Sequence, residues 1–357
     1  MRNVQLQRYR DFLVANGHEL ANPIDSDKIL LWTCAFRGDT RDNSLIIVDR
    51  YARHFGNKVV VVGCLPDIDK GVLNEHFCGQ VINWRDDEWK MAEFFGAKNK
   101  KLSEIPRVLF KRQLYGNENG VPYVGRFTQL YISEGCNFNC TYCSEKLAFP
   151  PYRSYPEDEI LDACSHGGGK SVVLLADSVG DYGCDTGSDL PALIRRLRHA
   201  HPDIKIALQG LNPYHLLKYY DEFVGFIRDG LISHLQIPFQ SAAGGILQLM
   251  RRPYTRFDID EVFGTLNKIG FTEFDTHIIV GFPSETEEDF EETLQFILRH
   301  RPKYVLVNGF MESPKLLAAE LPGKIDEATK RQRLIEAEER IRAAGIICNC
   351  DGRPTTV

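Results

Sequence analysis

Three cysteines stand in SEGCNFNCTYCSE (133–145) as C-x3-C-x2-C: Cys136, Cys140 and Cys143. Three thiolates can hold a metal, yet closed structural zinc sites take four ligands, and paired C-x2-C knuckles are absent here. A 4Fe–4S cluster held by three cysteines leaves one iron open. That iron can chelate a small molecule through its nitrogen and oxygen atoms. The missing fourth ligand then becomes a vacancy for a substrate or cofactor.

The ten cysteines are unevenly spread. Cys34 closes the apolar run ILLWTC (29–34) and Cys64 closes VVVVGC (59–64). Both read as buried strands, and ligands of open α/β sheets bind at the carboxyl ends of strands. Cys78 and Cys164 fall in helical patterns and are expected to be small buried hydrophobes. The N-terminus, MRNVQLQRYRDFLVANG, carries charges through its apolar positions and lacks the core of a signal peptide. Its Leu6, Tyr9 and Leu13 spacing predicts an amphipathic helix. No run of 18 or more apolar residues occurs, so no membrane span is expected. The chain is expected to be cytoplasmic, with thiols kept reduced for metal or redox chemistry. Lys plus Arg number 43 against 49 Asp plus Glu, a net charge of −6. That balance does not fit an electrostatic nucleic-acid binder.

The elements that must position these cysteines alternate regularly. Strands at 29–34, 59–64 and 80–83, with helices at 43–55, 68–77 and 86–95, predict a small doubly wound parallel α/β domain over 1–100. A Lys-, Asn- and Gly-rich linker (101–120) follows. Strands are then expected at 128–133, 170–176, 204–209, 232–238, 274–280 and 304–310. Helices are expected at 156–164, 190–201, 258–269, 287–301 and 326–344. Six strand–helix units over 121–345 make a partial (β/α)6 barrel, whose chemistry belongs at the carboxyl ends of its strands. The three-cysteine loop follows the first barrel strand directly. A short apolar run and polar tail (346–357) close the chain.

With these residues in place, the sequence resembles the radical S-adenosylmethionine (SAM) superfamily. In that superfamily the open iron binds the SAM amine and carboxylate, and one electron from the cluster cleaves SAM to a 5′-deoxyadenosyl radical that abstracts a substrate hydrogen. The protein positions the cofactors that carry the chemistry. The stretches ISEGCNFNCTYC, LADSVGDYGCD, LQIPFQSAAGGILQLMRRPYTR and IIVGFPSETEEDFEETL narrow the resemblance to methylthiotransferases that modify tRNA adenosine or a ribosomal-protein aspartate. LLWTCAF and VVVVGCL resemble the cysteine-bearing strands of their N-terminal domain. The resemblance implies a second, auxiliary iron–sulfur cluster that delivers sulfur, and a second SAM that supplies a methyl group. It also implies that Tyr142 packs beside the SAM adenine and that Gly281, Phe282 and Pro283 shape the adenosine pocket. Gln240 and Ser241 are expected to face SAM or substrate, and the SAM amine to meet the backbone near Ala176 and Asp177.

Three departures from the family pattern shape the expected function. The family's first auxiliary-cluster cysteine would fall at or before Met1, leaving Cys34 and Cys64, with Cys184 in the YGCD loop as a candidate third ligand and Cys348 and Cys350 of the tail as others. The sequence is expected to do without the family's C-terminal RNA-binding barrel. The loop after the cysteines reads SEKLAFPPYRSYP, where Arg153 matches the family arginine as a candidate substrate contact. The reading that follows is a radical SAM enzyme forming a C–S bond, by methylthiolation or sulfur insertion, on a small molecule, nucleoside or peptide. It takes electrons from a donor such as flavodoxin or ferredoxin, and no nucleic-acid or membrane partner is expected. Three alternatives stay open. One is oxidation or epimerisation with the auxiliary cluster as electron acceptor. Another is methylthiolation of tRNA or ribosomal protein. The last is a non-catalytic cluster-binding regulator.

Overall fold

The computed structural model describes residues 2–36, 38–112, 126–313 and 315–350. Positions 113–120 of the expected linker and 351–357 of the expected tail lie outside the described residues. The chain divides into two compact units, Met1–Leu109 with Cys143–Tyr152, and Phe110–Tyr142 with Arg153–Val357.

The first unit contains α1 (Arg2–Ala15), β1 (Ile29–Thr33), α2 (Gly38–Phe55), β2 (Val59–Gly63), α3 (Leu65–Ile68), α4 (Lys70–His76), β3 (Gln80–Asn83) and α5 (Asp87–Phe95). Its three strands are parallel and sequential, β1-β2-β3. All five residues of β2 are buried, as its unbroken Val run requires of a central strand covered on both faces. Tyr9 and Phe12 of α1 and Met91 of α5 pack with Val60, Val62 and Ile82 to form one core layer. The helix α2 lies against β1 and β2. The expected helix over 68–77 is two short ones, broken at Asp69. It ends at His76, so Cys78 sits in the following loop and is exposed, against the expectation of burial. Cys164 is buried as expected.

The second unit contains β4 (Val108–Arg112), β5 (Arg126–Glu134), β6 (Arg153–Ser154), α6 (Glu157–His166), β7 (Ser171–Ala176), α7 (Leu190–Ala200), β8 (Lys205–Gln209), α8 (Pro213–Lys218), α9 (Tyr220–Arg228), β9 (Ile232–Gln236), α10 (Gly244–Leu249), α11 (Arg256–Lys268), β10 (Phe274–Val280), α12 (Glu287–His300), β11 (Tyr304–Gly309), α13 (Glu327–Ala343) and β12 (Ile347–Cys350). The sheet order is β12-β11-β10-β9-β8-β7-β5-β4, and the six expected barrel strands, β5 and β7 to β11, are all parallel. The strand β4 occupies part of the expected linker, and β12 occupies the first residues of the expected tail, paired in parallel with β11. Side-chain caps start the helices that return from the carboxyl edge. Asp189 accepts the Ala192 N–H at 2.7 Å, Thr255 and Asp258 form a capping box, and Thr286 and Asp289 form another. These caps satisfy the first N–H groups of each helix and fix where the preceding loop ends.

Candidate active site

At the end of β5 the chain turns through Gly135, whose φ of 79° suits glycine. Its N–H donates to Asp177 Oδ2 at 2.8 Å, and the Tyr131 hydroxyl donates to the same oxygen at 3.0 Å. Asp177, expected near the SAM amine, thus ties the start of the cysteine loop to the end of β7. Ala176 is buried at that strand end. Asp181 holds the next residues: it accepts the Asn137 N–H at 3.3 Å and pairs with His215 Nε2 at 3.1 Å. Burial works to raise its carboxyl, but the hydrogen bonds from His215, Ser178 and the Asn137 N–H, with the His215 charge, together hold it below the usual range. Phe138 stacks edge-on against His215.

Burial pushes the Cys136 thiol up to about 12, although the Phe138 N–H pulls it down. Cys140 Sγ accepts from Arg252 Nη1 at 3.3 Å. Nitrogen donors at both sulfurs are what metal-bound thiolates use to spread their charge, so the donor chemistry fits an iron–sulfur cluster. Cys143 opens the segment that belongs to the first unit, where the Ser144 hydroxyl donates to the Phe36 carbonyl at 3.2 Å. Cys184 is exposed and accepts from Asn137 Nδ2 at 3.2 Å, beside the cysteine loop of its own unit.

Tyr142 packs against a cluster formed by Ile279, Phe282, Phe310 and their neighbours. Phe282 is fully buried, with its ring centroid 5.1 Å from that of Phe310. Gly281 has φ 71°, and a Cβ there would meet Lys330 Cγ at 2.4 Å. Its N–H donates to Glu285 Oε2 at 2.6 Å, and Arg333 donates to the same oxygen at 2.7 Å. Burial raises the Glu285 carboxyl to about 7. Pro283 is buried beside them. The Gly-Phe-Pro turn is therefore rigidly held. Gln240 adopts φ 73°, its backbone bonding to His277 and Ile279. The Ser241 hydroxyl points inward, 3.2 Å from Thr293 Oγ1 and accepting from the Ala243 N–H, so it braces the turn. Arg153 donates to Glu134 at 2.7 Å and lies 5.5 Å over the Tyr155 ring, while staying half-exposed.

In the first unit, β1 and β2 pair with Thr33 opposite Gly63, which brings the residues after them, Cys34 and Cys64, side by side. Their sulfurs are 3.7 Å apart, well beyond a disulfide bond of about 2.05 Å. Gly63 has φ 104°, and a Cβ there would lie 2.2 Å from the Thr33 carbonyl oxygen. The Ser44 hydroxyl accepts the Cys34 N–H at 3.0 Å and donates at 2.9 Å to its carbonyl. Two adjacent soft thiolate donors suit iron–sulfur ligation. Among the described residues no set of three or more His, Cys, Asp or Glu side chains converges as a metal site. No described helix is long and apolar enough to cross a membrane.

The Radical SAM superfamily matches residues 130–297, from the strand before the cysteines to the last turns of α12. The probable threonylcarbamoyladenosine tRNA methylthiotransferase of Pyrococcus horikoshii is 31% identical over 336 residues, covering 90% of this chain and 77% of that protein. The threonylcarbamoyladenosine tRNA methylthiotransferase of Drosophila melanogaster is 28% identical over 87% of this chain and 58% of its own length. The cobalamin-dependent SAM radical enzyme OxsB shares the fold, with TM-score 0.51 and 13% identity over 94% of this chain and 49% of that one. A parallel sheet of this order with a three-cysteine loop after its first barrel strand defines a radical SAM enzyme. The chain belongs to the radical SAM superfamily and, within it, to the methylthiotransferase-like proteins. The relatives named for tRNA weigh against the expectation that excludes a nucleic-acid partner.

Proposed function

We propose that this protein is a methylthiotransferase whose substrate is a nucleoside, with an adenosine of tRNA as the first candidate. The observation that carries this reading is the alignment with the Pyrococcus horikoshii protein over 90% of the chain. That span takes in both the cysteine-bearing first unit and the barrel.

SAM and a 4Fe–4S cluster, when bound, supply hydrogen abstraction, and an auxiliary cluster supplies sulfur. In this reading Cys136, Cys140 and Cys143 hold the radical cluster, and Cys34 and Cys64, with Cys184 as a further candidate, hold the auxiliary one. Asp177 fixes the end of β7 beside Gly135, where the SAM amine is expected. The Gly281–Pro283 turn, braced by Glu285 and Arg333, shapes the adenosine pocket against which Tyr142 packs. Arg153, oriented by Glu134, offers its exposed nitrogens to the substrate. Reduction comes from a small electron carrier of the flavodoxin or ferredoxin kind.

The test is incubation of the anaerobically reconstituted protein with SAM, dithionite and tRNA lacking the methylthio group, followed by digestion and nucleoside mass spectrometry. An adenosine that exchanges one hydrogen for a methylthio group is expected. SAM cleavage with no sulfur-bearing nucleoside would overturn the tRNA reading. A product that loses hydrogens, or keeps its mass, would assign oxidation or epimerisation instead.

A further inference from the structure

The turn that follows α10 grips the cysteine loop at three successive residues. Arg252 Nη1 donates to Cys140 Sγ at 3.3 Å and to the Tyr142 hydroxyl at 3.0 Å. Between these two, the Thr141 N–H donates to the Met250 carbonyl at 3.2 Å and its hydroxyl to the Leu249 carbonyl at 2.8 Å. The Thr141 carbonyl accepts the Ala318 N–H at 3.1 Å.

The rest of the guanidinium is anchored as firmly. Nε donates to the Tyr254 hydroxyl at 2.6 Å and Nη2 to the Pro238 carbonyl at 3.0 Å. The Tyr254 hydroxyl in turn donates to the Phe239 carbonyl at 2.9 Å, and the Tyr254 ring centroid is 4.9 Å from the guanidinium carbon. Arg251 takes φ 53°, and the Arg252 N–H closes the turn on the Leu247 carbonyl at 3.0 Å. A left-handed non-glycine residue is held here by what surrounds it, a pattern that collects at functional sites.

We propose that Arg252 is a positioning residue of the radical cluster. Its guanidinium fixes the Cys140 sulfur and stabilises the negative charge that sulfur carries as an iron ligand, so that the cluster is easier to reduce. The inference rests on the reading of Cys136, Cys140 and Cys143 as cluster ligands. Reduction adds one electron to the cluster. A cation that cannot lose its proton, at hydrogen-bond distance from a ligand sulfur, favours the more negative form. The planar fork is also what allows one side chain to meet Cys140, Tyr142, Tyr254 and Pro238 together, which a lysine ammonium cannot do.

The test uses the full chain carrying Cys34→Ala and Cys64→Ala, so that one cluster is read. Arg252→Gln and Arg252→Lys are added to it, each variant is reconstituted anaerobically, and the midpoint potential is followed by EPR without SAM. The background protein is expected to hold about four irons. At the midpoint potential of the background protein, the Gln variant should show a reduced-to-oxidised ratio about tenfold lower, a negative shift of about 59 mV for one electron. The Lys variant should shift in the same direction by less. A merely structural role would leave the potential of the loaded variants unchanged, and that result would overturn the proposal. If the Gln variant does not fold, the Lys variant decides: an unshifted midpoint refutes the role and a negative shift supports it. A background protein that assembles no cluster would remove the cluster reading of the loop, and this inference with it.

Discussion

In the first unit the sulfurs of Cys34 and Cys64 lie 3.7 Å apart, brought together by strand register and by the close approach of Gly63 to the Thr33 backbone. In the second unit Cys136 and Cys140 are each met by a nitrogen donor, and the loop that carries them is tied at Gly135 to Asp177, at Asn137 to Asp181, and at Thr141 to the Leu249 and Met250 carbonyls. One pair is brought together by strand register, and the other sits on a loop gripped from distant elements by the side chains of Asp177, Asp181 and Arg252 and by the carbonyls of Leu249 and Met250. The contrast fits two different tasks. A cluster that must pass electrons at a set potential needs its ligands' charge managed by neighbours. Under the proposed function, the cysteine pair at the ends of β1 and β2 would serve the cluster that donates sulfur.

The sharpest way to break this comparison is to remove the loop ligands. Changing Cys136, Cys140 and Cys143 together to Ala should abolish 5′-deoxyadenosine formation from SAM under dithionite. Wild-type amounts of that product would show that the loop does not hold the radical cluster. The complementary change, Cys34→Ala with Cys64→Ala, should lower iron from about eight to about four per chain and leave SAM cleavage in place. Sulfur transfer should disappear. A wild-type protein holding about four irons after full reconstitution would remove the auxiliary site from the comparison.

Backbone positioning in the first unit is probed by Gly63→Ala. The added Cβ would meet the Thr33 carbonyl oxygen at 2.2 Å, in a left-handed conformation. A loss of roughly 1–3 kcal/mol in denaturant unfolding is expected, together with reduced iron at the first site. Unchanged stability and iron would mean that the close approach of Gly63 to Thr33 does not set the cysteine pair. The smallest effect belongs to Thr286→Ala, which removes the cap of α12 behind the Gly-Phe-Pro turn. It should cost about 1 kcal/mol and leave the iron content of both sites as it was. A loss of iron would show that helix capping, and not only the loop's own bonds, supports the cluster.

Much of this was legible along the chain. Unbroken apolar runs marked β1 and β2, and each run ends in a cysteine, so residue pattern alone puts Cys34 and Cys64 at strand ends. Six alternating units marked the barrel strands, and the loop after the first of them carried the three cysteines. Local pattern erred where an element was short: Cys78 continues a helical periodicity that stops at His76. It also passed over β12, because four residues at a sheet edge carry too little alternation to stand out from a tail.

Residue types and spacing alone determined the cysteine motif, the strand runs and the order of the helices, because burial against a sheet imposes periodicities of two and 3.6 on the nearby chain. Tertiary structure decided what meets across long separations. The approach of Cys34 to Cys64 depends on a parallel register between strands 30 residues apart. The contact of Arg252 with Cys140 spans 112 residues. In the sequence Arg252 is one of two adjacent arginines before a proline, inside a stretch that carries the family resemblance, but nothing in its residue type or spacing shows that it reaches Cys140. The inward turn of the Ser241 hydroxyl and the holding of Arg153 by Glu134 are decided in the same way. A hydrogen bond is made by whichever donor the fold carries to within about 3 Å, and nothing in local periodicity encodes that distance.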